Sequence, residues 1–329
     1  MSQKREDSLR QELMDLIASR RPVALSSLRG QIEWIAKTRS DHLLAPETWV
    51  LRAQEGTIEK FETTLACSPL RSAVELIALA RNVFENLIWL KLFNQDRHYG
   101  LVFYRKLLQQ QIDSQQQAIE KANEEIALFK ELSDEEVPDF DAIAHLIAKD
   151  EPSEDDARAV RDYIKSHEAA VDAKVRATFS LYGEQAKTNG FDFQAHLIET
   201  KAIPHHRERI ETVKQHLQEV QNSLPTGLSA AMQRELSETV RWNWSDRATS
   251  VGMRSHYRFL YTYTSRLLHS TPMNLITPKE LDESETCTLL DYLCVAVNEA
   301  YAEVEKFEYP GKVNVFFLDM GGKKVVYSV

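Results

Sequence analysis

The chain is short of most features that mark the common chemical classes. It has three cysteines, Cys67, Cys287 and Cys294. The odd count argues against a disulfide framework, and no pair has metal-ligand spacing. Ten glycines and ten prolines among 329 residues leave little material for tight turns and point to long regular elements. No uncharged apolar run reaches bilayer length, because Glu75, Arg81, Glu85 and Lys91 interrupt the most hydrophobic region. The opening Met-Ser-Gln-Lys-Arg-Glu-Asp lacks the apolar run of a signal peptide. A soluble, cytoplasmic chain with no membrane partner is therefore predicted. Basic excess is missing too: the net charge is −10, so any contact with nucleic acid needs a local basic patch. HExxH, the P-loop, GxGxxG and paired CxxC motifs do not occur, and neither a cofactor nor a metal site is expected.

What the chain does have is helical periodicity over a composition of 43% hydrophobic and 27% charged residues, which suits a globular protein with a real core. The predicted fold is all-α: a multi-helix bundle with long polar helices in the middle and a short C-terminal β-hairpin. Residues 5–20 read as a short amphipathic helix ended by Arg21-Pro22, with Ser26 or Ser27 capping the next. A helix follows from Pro46 or Glu47 to about Leu65. Ser68-Pro69 then suits a cap and first helical position, and opens the most apolar helix, to about Phe93. Residues 101–131 form a long helix with a Gln-rich, solvated centre. Beyond an acidic connector, helices are expected over about 153–182, 205–222 and 229–241, with breaks at Asn189-Gly190 and Pro225-Thr-Gly227. The predicted divisions are an apolar helical block, 1–100, a polar insertion or arm, 101–240, a second helical block packing on the first, 241–308, and a hairpin, 309–329. Its strands would be Lys312–Met320 and Lys323–Val329, joined at Gly321-Gly322, a pair suited to positive φ.

One stretch, Arg254 to His269, carries Tyr257, Tyr261, Ser265 and His269 at spacings of four, one ridge of an α-helix. At about 100° per residue, each step of four drifts by roughly 40°. Measured from His269, Tyr257 turns away by about 120°, while Arg258 and Thr262 come in at about 20° and Arg254 and Arg266 at about 60°. The resulting face is basic, with Leu260, Tyr263 and Leu267 on the opposite side. Histidine is matched to proton transfer near neutral pH, and arginine to bidentate contact with phosphate. Ser265 lies one turn from His269 and could hydrogen-bond to it. With no acidic orienter and no strand–turn–helix elbow, that pair does not make a serine hydrolase. The plainer reading is a solvated basic face.

Arg81, Glu85 and Trp89 form a second ridge at i, i+4 and i+8, with Arg71, Glu75, Asn82 and Asn86 in the same arc. The plainer reading is a narrow wet stripe of weak ion pairs. Against it, charges on so apolar a helix need partners, and an Arg–Glu pair there suits a site scaffold. His205-His206, Asp155-Asp156 and Glu124-Glu125 read as surface or helix-end groups.

The run from Leu79 through Arg81 and Glu85 to Trp89, followed much later by Trp244, Arg247, Gly252, Tyr257, Tyr261, Ser265 and His269, resembles an uncharacterised bacterial helical family of unknown function. Its pattern is similar to that of HEPN-like proteins, the helical bundles of many prokaryotic toxins and antiphage effectors. The resemblance covers about residues 65–95 and 240–300. It implies a helical bundle, frequent dimerisation and metal-independent RNA cleavage. The chain departs from the HEPN ribonuclease signature in one respect: Arg266 precedes His269 by three and Arg258 by eleven, and neither spacing fits. On this resemblance His269 would be the acid–base group, Arg258 or Arg266 would hold phosphate charge, Ser265 would support His269, and Arg81 and Glu85 would orient the site. RNA would be the substrate, in defence or toxin biology, and a homodimer or a partner protein would engage through the polar helices or the hairpin. The alternative is a non-catalytic helical interaction, scaffold or ligand-sensing module with a buried polar network.

Overall fold

The computed structural model describes residues 2–66, 73–148, 153–237, 241–261, 263–264, 281–313, 315–320 and 323–328. Among these the helices are α1 (Ser2–Thr38), α2 (Pro46–Ala66), α3 (Ala73–Gln95), α4 (Tyr99–Glu136), α5 (Ala144–Ile147), α6 (Glu154–Ala177), α7 (Gly183–Asn189), α8 (Phe191–Leu197), α9 (Ile203–Asn222), α10 (Ala230–Leu236), α11 (Trp244–Ser250), α12 (Arg254–His256) and α13 (Glu283–Lys306). Single π-helical turns follow α8, at Ile198–Ala202, and α12, at Tyr257–Tyr261. No helix among the described residues is long and apolar enough to cross a membrane. The chain forms two compact units, Met1–Lys106 with Asn222–Val329, and Leu107–Gln221.

In the first unit α1, α2, α3 and α13 share one core. α1 and α13 run in parallel: Arg5 bonds Asp291, the Cys294 thiol faces the Leu9 carbonyl, and Arg20 reaches Asn298 and Glu305. Cys287 and Cys294 are buried as small apolar residues of α13, and burial pushes the Cys294 thiol up to about 11. The expected break at Arg21-Pro22 is corrected, since α1 passes through Pro22 unbroken. Proline there removes the N–H that would reach the Ala18 carbonyl, at a cost of about 3 kcal/mol. Leu13 and Ile17 before it, and Leu25 and Leu28 after it, are all buried in the same core. At about 1.5–3 kcal/mol each, they outweigh the lost bond. The expected opening of α3 at Ser68-Pro69 lies outside the described residues.

α4 starts against α2. A Cβ on Gly100 would lie 2.1 Å from the Pro46 carbonyl oxygen, so only glycine allows this approach. Trp49 stacks on Tyr104 one turn further on, with ring centres 3.5 Å apart. Leu101 and Val102 pack with Met232 and Leu236 of α10, and Trp89 and Trp242 close over them. That packing belongs to the first unit, which takes in the chain to Lys106 and from Asn222 on. α10 is shorter than the helix expected over 229–241.

The second unit packs Phe129 and Leu132 of α4 with Val171 and Val175 of α6 and Phe191 of α8. Ser153 caps α6 in a reciprocal box with Asp156, and Gly190, at φ 87°, separates α7 from α8. The reading of Glu124-Glu125 as surface charges is corrected for its second member. Glu125 is 0% exposed, and its carboxylate accepts from the Ser180 hydroxyl and from the backbone N–H groups of Leu181 (3.0 Å) and Tyr182 (3.3 Å). It satisfies the loop between α6 and α7, a tertiary role that residue spacing does not reveal.

The expected class, all-α with a C-terminal β-hairpin, is corrected to all-α, because helices supply every layer of the packed body. The tail holds extended backbone at Val315–Met320 (β1) and Lys323–Ser328 (β2), with Val315 opposite Ser328 and Met320 opposite Lys323. The Gly321-Gly322 turn that would make these a hairpin lies outside the described residues, and the pair joins no further strand among them. An isolated pair of strands is marginal by itself and makes no layer of the fold.

Gly100→Ala is expected to destabilise the protein by about 3 kcal/mol, since the obstructing atom belongs to backbone, as read from the midpoint of urea unfolding. Glu125→Ala is expected to cost about 3 kcal/mol by stranding the 180–182 donors, and Glu125→Gln less, in the same measurement.

Candidate functional site

α3 carries both a core face and a polar stripe. On the stripe, Arg81 Nε donates to Glu85 Oε1 at 3.0 Å, with the two side chains 26% and 25% exposed. The Arg81 guanidinium lies 4.5 Å from the centre of the Tyr261 ring. Tyr261 stacks on Tyr257 at 4.7 Å, and Tyr257 tilts against Phe84 of α3 at 6.3 Å. Two stretches far apart in sequence thus meet through an arginine, a carboxylate and two phenol rings. Burial works to lower the Arg81 pKa, but the hydrogen bond and charge of Glu85, with a smaller part from Tyr261, outweigh it and raise the value. Burial, and then the neighbouring Tyr261, push the Tyr257 phenol up.

His269, from which Tyr257 was expected to turn away, lies outside the described residues. Tyr257–Tyr261 is a π turn, and such a turn takes more than four residues per revolution. A step of four then falls short of a full turn, whereas in an α-helix it overshoots. In either geometry the two rings stay together, and here they lie beside α3. Leu260 is buried, as its place opposite the polar face predicts, and Thr264 is buried with its hydroxyl donating to the Leu260 carbonyl at 2.7 Å. Arg254 and Arg258 are exposed, and Arg258 makes no ion pair or hydrogen bond with another described residue. Thr262, Ser265, Arg266, Leu267 and His269 lie outside the described residues, as does Arg71. Of the six residues expected to make the site, the structure therefore brings Arg81 and Glu85 together and leaves Arg258 on an exposed surface.

Trp89 leaves the stripe altogether. Its ring stacks on Trp242 at 4.3 Å and meets Phe103 edge-on at 5.3 Å. Trp242 is the centre of a cluster that spacing did not reveal. The Arg247 guanidinium lies 4.6 Å from its ring and the Lys106 ammonium 4.7 Å. Arg247 also grips Glu235 with both terminal nitrogens, at 2.7 and 2.5 Å, and this pair is largely buried. Burial, and then the Arg247 charge, pull the Lys106 pKa down, with Glu235 opposing. The one local signal is tryptophan density, Trp242 and Trp244 immediately ahead of Arg247.

His206 Nδ1 lies 2.7 Å from Gln115 Oε1, and its ring centre is 6.2 Å from that of His205. Burial, then the neighbouring His205 and Arg209, lower the His206 pKa. No group of three His, Cys, Asp or Glu side chains among the described residues could hold a metal ion. Comparison of the chain with family models, curated proteins and solved structures finds no match.

The two arginine–glutamate pairs differ in burial and so in energetic weight. Arg247→Ala is expected to cost about 3 kcal/mol by leaving Glu235 buried without its partner. Arg81→Ala is expected to cost under about 1 kcal/mol, because that pair is partly solvated. Urea unfolding of the two variants side by side checks the contrast.

Proposed function

We propose that the protein is a HEPN-like helical effector directed at RNA, acting in the cytoplasm in bacterial defence or toxin biology. In this reading Arg81 and Glu85 form the orienting half of the site, and His269, with Ser265 and Arg258 or Arg266, forms the reacting half. The observation that carries it is the contact of Arg81 and Phe84 with Tyr261 and Tyr257, which joins the two stretches on which the family resemblance rests. Glu85 and the Tyr261 ring hold the Arg81 guanidinium in one orientation, and partial exposure leaves its edge open to a phosphate. The chemistry needs no metal. A histidine takes the proton of a ribose 2′-hydroxyl as that oxygen attacks the adjacent phosphorus, the bond from phosphorus to the 5′-oxygen breaks to leave a 2′,3′-cyclic phosphate, the 5′-oxygen takes a proton from water, and arginine holds the developing charge.

A second reading, a non-catalytic ligand-sensing or interaction module, is favoured by the fact that Glu85 and Tyr261 already answer the Arg81 charge. Total RNA incubated in EDTA with wild type, His269→Ala and Arg81→Ala separates the two. The effector reading expects cleavage by wild type, loss of cleavage in His269→Ala, and at least a tenfold fall in Arg81→Ala with its melting temperature nearly unchanged. Equal behaviour of all three, cleaving or not, removes it and leaves the second reading.

A further inference from the structure

A cavity of about 400 Å³ opens in the first unit between α1, α2 and the end of α13. At its wall on α2 stands Gln54, which is 0% exposed, with neither its amide nitrogen nor its amide oxygen bonded to any partner. A buried amide with both ends unpaired is costly, and native proteins rarely tolerate one unless something else supplies the partners. The neighbouring Gln31 is not in that condition: its nitrogen donates to the Ser27 hydroxyl at 3.0 Å and its oxygen accepts from the Tyr309 hydroxyl at 3.3 Å. The polar wall is thus paired at Gln31 and unpaired at Gln54.

The remaining lining narrows the chemistry of the missing partner. Its two cations are already engaged, Arg20 by Asn298 and Glu305, and Lys312 by Glu308 and the Phe307 carbonyl. An anion therefore finds no free charge. Leu28, Leu51 and Phe307 supply apolar wall, one of them aromatic. The complement of a carboxamide is a planar edge with a donor beside an acceptor, the edge that each nucleobase presents. The volume lies within the range of small-molecule sites.

We infer that this cavity is a binding site for a nucleobase or nucleoside, with Gln54 reading the donor–acceptor edge of the base and Phe307 contributing apolar wall. This site is separate from the Arg81–Glu85 pair, and the inference does not depend on RNA cleavage. The test titrates wild-type protein with adenosine, cytidine, guanosine and uridine at millimolar concentration, followed by saturation-transfer NMR and by melting temperature. At least one nucleoside is expected to show saturation transfer and to raise the melting temperature. Gln54→Leu, which removes the unpaired amide while keeping the bulk, is expected to remain folded and to bind at least tenfold more weakly. Ala24→Leu, a second variant that narrows the cavity without touching Gln54, is expected to weaken binding as well. His269→Ala is expected to bind as wild type does. No saturation transfer from any of the four nucleosides would mean that water alone fills the cavity, and would overturn the inference. Undiminished binding by folded Gln54→Leu, or loss of binding in His269→Ala, would place the nucleoside elsewhere and overturn it too.

Discussion

The parallel packing of α1 on α13 is the contact on which the first unit depends. It joins the two ends of the chain, from Leu9 beside Cys294 to Arg20 beside Glu305, and encloses α3 in a common core. Apolar burial is the driving term, since α13 buries the whole of Tyr301 and α1 buries leucine and isoleucine on both sides of Pro22. The polar contacts at the edges, Arg5 with Asp291 and Arg20 with Glu305, are partly solvated and fix alignment more than they add stability. With the ends joined, the residues between Leu107 and Gln221 can form a unit with its own core around Phe129, Val175 and Phe191.

Within that frame α3 does two jobs along one helix. Its core face holds Phe84 and Phe93, and two further clusters lie along its length. Towards the N-terminal end, Arg81 and Glu85 meet the tyrosines of the π turn. Further along, Trp89 joins Trp242, Arg247 and Lys106 in a cation–aromatic cluster where the chain returns to the first unit. The buried Arg247–Glu235 fork suits a fixed anchor, since breaking it strands a charge. The partly exposed Arg81–Glu85 pair suits a surface that can still meet a ligand. Similar residue types serve different ends according to burial.

Much of this was legible in the residues themselves. The all-α class, the bounds of α2, the start of α6 near Ser153 and the break at Gly190 follow from periodicity and helix-breaking residues, which act over a few residues. The pairing of Arg81 with Glu85 follows from i, i+4 spacing, and the buried place of Leu260 from helical projection. Where prediction failed, long-range packing had overruled a local preference. Pro22 ends a free helix but not one buried against neighbours on both sides of it. Glu125 looks like a solvated charge until the 180–182 loop brings it three donors. A projection at one fixed angle per residue could not foresee the π turn at Tyr257–Tyr261. Sequence by itself determined the elements and the chemistry they carry, because propensity, capping and i, i+4 contacts are short-range. Tertiary structure alone decided which carboxylates are buried, which arginine meets which ring, and that Gln54 faces a cavity without a partner, because each of these depends on groups brought together from distant parts of the chain.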